Sequence, residues 1–486
     1  MKIEKAAQYM NADASNLSPA LLEADVTSFQ TDSREVKAGD LFFAFSAPEF
    51  GNNGFNGEFR DAHEFIPTAF QNGAVVCVGR KDRFEVHKEL LKPFEDRLLF
   101  VEDAIASLQT LAHRVYLDWN KPVIAITGSA GKTTAKELTA HVLESPERMV
   151  LRNLKNLNNG LGLPLSVLRL VADDSYDVAI LEMGMSTPRR EIARLCEITP
   201  PDVGVELNVL PVHVEHLGSI ENVAKAKAEL VEGLKPGGTA ILNADDFRVL
   251  EMRNLHEGKV ITYGIDNPAD VMAIGVDMKQ FGETHFTLKT PDGDERVVFQ
   301  LSGKHNVLNA LAASAVGYSF GMTAAEIASA LNTVKPPAQR GEVLNFKNGF
   351  TVINDSYNSN PAALLGMVNT LNDGAQDSSR RIVVAGEMLE LGNEEKEIHE
   401  DTGRKLAASG IDYLIGVRGL ARHMVASAKD AGMTKTIFFD SSEEAGEFLS
   451  GELKEGDIVL VKGSRGVRTE NVIDKLVKKF ELETAG

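Results

Sequence analysis

The segment KPVIAITGSAGKTTAKELTAHVLE, residues 121–144, constrains the fold more than any other stretch of the chain. Pro122 to Thr127 reads as a short apolar strand, GSAGK as a glycine-rich turn, and Thr133 onward as an amphipathic helix. A strand that feeds a glycine turn into a helix N-terminus makes a phosphate cradle, because backbone N–H groups converge there and the helix dipole favours negative charge. Gly128, Ser129, Ala130 and Gly131 would form the cradle, its two glycines allowing close approach to the phosphates. Lys132 would reach the terminal phosphates, and the hydroxyl of Thr133 or Thr134 would face a magnesium ion. The loop is a short GxxGKTT form, with Ile126 where the commoner GxxxxGK[ST] pattern has glycine. The expectation of nucleotide binding therefore rests on the flanking strand and helix as much as on GKT.

The same alternation continues downstream. Strand-like runs at Val123–Thr127, Val178–Leu181, Val203–Leu207 and Ala240–Leu242 are separated by helical stretches. Fully apolar strands divided by helices predict a mainly parallel sheet covered on both faces. The helical runs NVLNALAASAVGYSFG and TAAEIASALNTV close this unit, and Lys335-Pro336-Pro337 marks a boundary. Beyond it the pattern restarts at Val352–Ile353, Ile382–Ala385, Tyr413–Val417, Thr436–Phe439 and Ile458–Val461, predicting a second α/β sheet. Before the glycine loop lie short strands at Leu41–Phe45, Val75–Val78 and Leu98–Val101, and a long polar loop over residues 46–65. A loop that long inside a compact domain is usually functional or mobile. With 486 residues, roughly two to four domains are expected. The reading is an α/β chain of three domains, 1–117, 118–334 and 335–486.

Composition narrows the partners. A formal net charge of −19 argues against nucleic acid or anionic membranes as main partners, while leaving room for a local basic pocket. Cys77 and Cys196 are the only cysteines and both sit in or near apolar runs, so core positions are expected and no disulfide framework. MKIEKAAQYMNAD is not a signal peptide, and no apolar stretch is long enough for a bilayer, so a cytoplasmic protein is expected.

In doubly wound sheets, ligands gather at the carboxyl ends of the strands. Glu182 ends one apolar run, and a carboxylate beside a phosphate loop suits magnesium, which takes oxygen donors. Another run delivers Asn208, then His213 and His216, a pair without the cysteines or HExxH spacing of a zinc site. Asn156, Asn158 and Asn159 read either as a turn or as amide donors and acceptors for a polar ligand. Lys225 and Lys227, among acidic neighbours, read as a solvated helix face. In the third segment Asn354-Asp355-Ser356-Tyr357-Asn358 ends a strand, with Pro361 at a helix start. Lys462-Gly463-Ser464-Arg465 ends another and reads equally as an anion-binding place or a solvated basic turn.

The motifs GSAGKTTAKE, NLNNGLGLPLSVL, LEMG, NVLPVHVEHLGS with its following AKAE, SGKHNVLNALAA, INDSYNSNP and VKGSR occur in this order, and the chain resembles the Mur ligases from about Asp32 to its end. TDSREVKAGDLFFAF, NGAVVCV and AGEMLELG make it most similar to those members that join D-alanyl-D-alanine to UDP-N-acetylmuramoyl-tripeptide. The resemblance implies a UDP-sugar domain, a central ATPase and a C-terminal Rossmann-like domain that closes over the site. It implies ATP and Mg²⁺ as cofactors, a monomer, and amide-bond formation through an acyl phosphate. Lys132 and Thr133 would bind phosphate and magnesium, with Glu182 and His213 as further metal ligands. Lys227 would be the lysine carbamylated in this family, a reading that displaces the solvated-face one. Asn306 and Asn309 would lie near the adenine, and Arg340 and Asp355 would assist the nucleotide. Ser33 and Arg34 match a motif associated with the uridine diphosphate, and Asn158 and Asn159 the asparagines beside the reacting carboxylate. Asn358, Lys462, Ser464 and Arg465 are expected on the substrate side. Two departures stand out: Asn354 replaces the family's usual first aspartate, and the loop PEFGNNGFNGEF is longer and more polar than usual. Another Mur or folylpolyglutamate-type ligase shares the ATPase core. A regulatory P-loop ATPase would not need the second α/β domain with its own polar strand ends.

Overall fold

The computed structural model describes residues 1–486 except 56–58, 146, 154–156, 186, 188, 212–216, 337, 376–378, 390 and 484–486, and the side chains of 279, 280 and 393. Asn156, His213 and His216 thus lie outside the described residues. Three sheets follow one another along the chain. The first has four parallel strands in the order β1 (Ser28–Gln30), β2 (Asp40–Phe43), β3 (Val76–Arg80), β4 (Leu98–Val101).

The second sheet carries β5 (Val123–Thr127), β6 (Val150–Arg152), β7 (Val178–Glu182), β8 (Val203–Glu206) and β9 (Thr239–Asn243). It continues with β10 (Lys259–Gly264), β11 (Val271–Gln280), β12 (Glu283–Thr290) and β13 (Gly293–Phe299). Its order is β13-β12-β11-β10-β9-β8-β5-β7-β6, parallel except for the β11-β12-β13 ribbon. Every residue of β5, β7 and β8 is buried, as helices on both faces require. The ribbon was not foreseen: β12 buries only alternate residues, so it lacks the continuous buried run of β5, β7 and β8.

The third sheet has β14 (Glu342–Asn345), β15 (Thr351–Asp355), β16 (Arg381–Gly386), β17 (Tyr413–Val417), β18 (Thr436–Phe439) and β19 (Ile458–Lys462). Its order is β14-β15-β19-β16-β17-β18, with β14 as an antiparallel edge. All three sheets fit the expected α/β class.

The expected boundary after residue 117 falls inside the helix Ala104–Trp119. Asp103 caps its N-terminus by accepting from Ala106 N–H at 2.8 Å, and Asn120 ends it in the left-handed region. Its buried residues Ile105, Leu108, Leu111 and Val115 share one apolar cluster with Leu41 and Val76 of the first sheet and Val123 and Leu181 of the second. The third sheet keeps its own clusters, one on each face.

The long polar loop is partly helical, at Ala47–Asn52 and Ala62–Phe65. The first turn is held by the buried Glu49, whose carboxylate accepts from the Ser46 N–H and hydroxyl, both at 2.5 Å, and from Ala104 N–H. Cys77 and Cys196 are free and buried, as expected. No helix among the described residues is long and apolar enough to cross a membrane.

Candidate active site

β5 runs into the helix Lys132–Leu143 through the glycine turn. Gly131 adopts φ +87°, and a Cβ there would stand 2.5 Å from Asn309 Oδ1, so only glycine suits the position. The turn is held from the neighbouring strand end by a residue whose role the sequence did not reveal. Asn208 Oδ1 accepts from Ala130 N–H at 2.9 Å, Asn208 Nδ2 donates to Ala130 O at 3.0 Å, and Asn208 O accepts from Ser129 N–H at 2.9 Å. Ser129 Oγ and the Leu210 backbone bond each other as well. Lys132 Nζ donates to Gly128 O at 2.8 Å. Burial pushes the Lys132 pKa down, against the pull of Glu182, with Arg340 adding to the fall.

Thr133 Oγ1 donates to Glu182 Oε2 at 2.8 Å, and Asn158 Nδ2 donates to Glu182 Oε1 at 2.8 Å. Hydroxyl, carboxylate and amide thus meet where β5 and β7 end. Asn159 Oδ1 is engaged elsewhere, accepting from Leu161 and Gly162 N–H at 3.1 and 2.9 Å at the start of the helix Gly162–Val167.

Lys227 departs from the solvated-face reading. On the helix Ile220–Glu232 it shares the inward face with Val223 and Leu230 and is 3% exposed, whereas Lys225 is exposed. Four-residue spacing from Val223 turns it inward, and sequence alone gave no sign that this face was the covered one. Burial lowers its pKa to about 7, with the charge of Lys132 lowering it further and Glu206 opposing. Glu206, the last residue of β8, is 0% exposed, and neither carboxylate oxygen has a hydrogen-bond partner among the described residues. Burial raises its pKa well above the usual range, against the pull of Lys227. Its sequence context, a carboxylate ending an apolar strand like Glu182, could have found it.

Between the second and third sheets lies a cleft of about 330 Å³. Gly131, Thr134, Asn306 and Asn309 line it from the central side; Arg340, Asp355 and Lys462 line it opposite. Asn306 Nδ2 donates to Ser302 O at 2.8 Å, while Asn309 abuts the phosphate turn. Lys462 Nζ pairs with Asp355 Oδ2 at 2.5 Å and donates to Asn358 O at 2.9 Å. Arg340 stacks over Tyr357, 4.1 Å from the ring centre, and Arg465 reaches the same ring at 5.7 Å. Ser464 is buried and accepts from Leu389 N–H at 2.9 Å. His305, not singled out in the sequence, also lines the cleft.

Ser33 and Arg34 stand apart, just past β1. Ser33 is buried and its carbonyl accepts from Asn72 Nδ2 at 2.9 Å. Arg34 is 84% exposed in its side chain and pairs with Asp32 through Nε–Oδ1 at 2.9 Å and Nη2–Oδ2 at 2.6 Å.

Residues 126–317 match the family model for the Mur ligase middle domain, and residues 339–465 that for the Mur ligase, glutamate ligase domain. A curated relative in Escherichia coli (strain K12) is 33% identical over 468 residues, covering 95% of this chain and 96% of its own, and is named UDP-N-acetylmuramoyl-tripeptide–D-alanyl-D-alanine ligase. The crystal structure II of MurF from Acinetobacter baumannii superposes with a TM-score of 0.84 at 27% identity, covering 98% of this chain and 99% of that one. MurF ligase from Thermotoga maritima, solved in complex with ADP, gives a TM-score of 0.78 at 28% identity over 95% of this chain and 99% of its own.

Proposed function

The chain belongs to the Mur ligase family, and on that premise we propose that it joins D-alanyl-D-alanine to UDP-N-acetylmuramoyl-tripeptide at the expense of ATP. The observation that carries this reading is the meeting of Thr133, Glu182 and Asn158 where β5 and β7 end, beside Lys132 and the turn whose Ala130 and Gly131 line the cleft shared with Arg340, Asp355 and Lys462. That arrangement serves a reaction between a nucleotide and a second ligand that closure brings together.

A carboxylate and an amine do not condense in water, because the carboxylate oxygen is a poor leaving group. Attack of the tripeptide carboxylate on the γ-phosphorus of ATP gives an acyl phosphate and ADP. The dipeptide amine then adds to the acyl carbon, and collapse of the tetrahedral intermediate expels phosphate. The first of these events brings two anions together. Lys132 and the N–H groups at the helix start, Gly131–Thr133, offset the repulsion by holding phosphate oxygens. Asn158 orients the carboxylate, with Asn159 shaping the turn that presents it. Asn306, Asn309, Arg340 and Asp355 hold the nucleotide, and Asn358, Lys462, Ser464 and Arg465 shape the opposite wall. Keeping water from the acyl phosphate falls to the cleft between the two sheets.

Thr133 and Glu182 offer hard oxygen donors, which fit magnesium, and the ion would supply charge neutralisation at the phosphates. His213 completes the expected ligand set, with Lys227 as a carbamate. An ammonium at Lys227 would repel the ion. A buried amine whose pKa has fallen to about 7 is instead substantially neutral near that pH, the form that adds CO2. The first sheet, with Ser33 and Arg34 at its carboxyl edge, takes the uridine diphosphate. Residues 1–117, 118–334 and 335–486 are the working units for sugar, nucleotide and closure. We place the enzyme in the cytoplasm as a monomer, where ATP and the UDP-linked precursor are available.

The test is phosphate release from ATP and Mg²⁺ with UDP-N-acetylmuramoyl-tripeptide, with and without D-alanyl-D-alanine. Release that needs both, with the pentapeptide product seen by mass spectrometry, is the expected result. Steady release indifferent to both would overturn the reading in favour of a regulatory ATPase.

A further inference from the structure

Asn153 follows β6 directly and is 1% exposed. β6 pairs with β7 up to Arg152↔Ile180, and there the backbone ladder stops. The Asn153 side chain takes over. Its Oδ1 accepts from Glu182 N–H at 3.0 Å and its Nδ2 donates to Glu182 O at 3.0 Å. One amide thereby makes the two-bond pairing that a neighbouring strand would offer to both backbone groups of Glu182. The same Nδ2 donates to Leu157 O at 2.9 Å, the residue before Asn158. Gly184 N–H in turn donates to Asn158 O at 2.8 Å, so the asparagine turn is pinned on both sides.

The clasp also reaches the phosphate helix. Lys136, one turn beyond Thr133, is 1% exposed and donates from Nζ to Asn153 O at 2.7 Å, with Glu137 Oε1 at 3.1 Å as its counter-ion. A lysine is rarely buried this deeply unless it is paired and hydrogen-bonded. Asn153 is therefore tied at once to the helix that carries Thr133, the strand that carries Glu182 and the turn that carries Asn158. Those are the three side chains whose oxygens and amide meet at the site, and this one residue touches all three of the segments that carry them.

We propose that Asn153 is a positioning residue for the metal–nucleotide end of the site, fixing Glu182 and Asn158 relative to Thr133, with Lys136 locking it to the phosphate helix. The inference rests on the reading of Thr133 and Glu182 as metal ligands. Groups that orient ligands from behind are worth about 10–100-fold in metal affinity.

The experiment measures Mn²⁺ binding by electron paramagnetic resonance in the presence of ADP, for the full chain and its Glu182→Gln, Asn153→Ala, Asn153→Asp and Lys136→Met variants. ADP affinity without metal and the melting temperature are measured alongside. Asn153→Ala and Asn153→Asp should each weaken Mn²⁺ binding by about 10–100-fold while leaving metal-free ADP affinity little changed, with Lys136→Met weaker in the same direction. In turnover, kcat should fall while KM for the UDP-linked substrate holds. Should Asn153→Ala fail to fold, the isosteric Asn153→Asp, which keeps the acceptor but loses both donations, decides the matter. Unaltered Mn²⁺ affinity in a folded Asn153 variant, even one that melts earlier, overturns the proposal. Unaltered affinity in Glu182→Gln instead overturns the ligand reading beneath it.

Discussion

Where the first sheet meets the second, the helix Ala104–Trp119 buries Leu108 and Leu111 in an apolar cluster that both sheets share. Where the second meets the third, Arg340, Asp355, Lys462 and His305 stand around a cleft, and each face of the third sheet keeps its own core. Across that second seam Phe281, in the β11–β12 turn, and Met278 lie against Gly374 at the end of the helix Pro361–Gly374, and Phe281 packs on one of those cores. A seam with one shared core holds two units at a fixed distance, whereas a cleft between separately cored units lets them move. The fixed seam lies on the side assigned to the bulky sugar nucleotide. The movable one lies where ATP must enter and water must then be shut out.

The sharpest way to break this contrast is at Leu111. Truncation to alanine in a fully buried site should cost about 2–5 kcal/mol. In denaturant, the first two sheets should unfold together at lower concentration while the third is little affected. Independent melting of the first sheet would dissolve the idea of a shared core.

Lys132→Ala should show the opposite behaviour, with a loss of about 3 kcal/mol in transition-state stabilisation and little change in melting temperature. Pre-steady-state measurement of phosphate transfer separates that from slowed product release. Phe281→Ala touches the loose seam alone. It should destabilise by about 1 kcal/mol yet raise KM for ATP, because the nucleotide sits between the units that Phe281 helps align. An unchanged KM would mean the hairpin contact is incidental.

The smallest effect concerns pH. Lys227 loses its proton at about pH 7 in the folded chain, whereas an unfolded lysine keeps it to about pH 10.4. The unfolded state therefore binds more protons between these values, and this group's contribution to stability rises with pH across that window. The neutral amine rises with pH through about 7 as well. Addition of CO2 to the neutral amine gives the carbamate and releases a proton, so at fixed dissolved CO2 the carbamate signal in ¹³C spectra should climb with pH until the site is full. No carbamate signal at any pH would leave Lys227 as an ordinary amine.

Much of the architecture was legible because buried parallel strands leave an unmistakable trace. Leu98–Val101, Val123–Thr127, Tyr413–Val417 and Thr436–Phe439 appear with the expected bounds, and the other strands read from the sequence fall within a residue or two, while β1, β6, β10, β11 and β14 were not read. The β12 and β13 ribbon escaped because a strand with one wet face spreads its apolar residues among polar ones. At the site, Lys132, Thr133, Glu182 and Asn158 could be read from their places at strand ends and turns, and the structure joins the last three by hydrogen bonds. The bracing roles of Asn153 and Asn208 could not. An asparagine that braces another backbone looks in sequence like any turn asparagine, since its partners lie 29 and 78 positions away. Lys227 was misjudged from its residues alone for a related reason: which helix face is covered depends on what packs over it.

Lys132 already donates to the Gly128 carbonyl, Thr133 to Glu182, and Lys462 to Asp355. A ligand that recruits any one of these groups breaks an internal bond for the bond it makes, so a single contact yields little net gain. Only a molecule long enough to engage several of them together comes out ahead. The protein's own hydrogen bonds thus work as a length filter, passing a triphosphate that spans the loop and the far wall while discounting the small anions that crowd a cell.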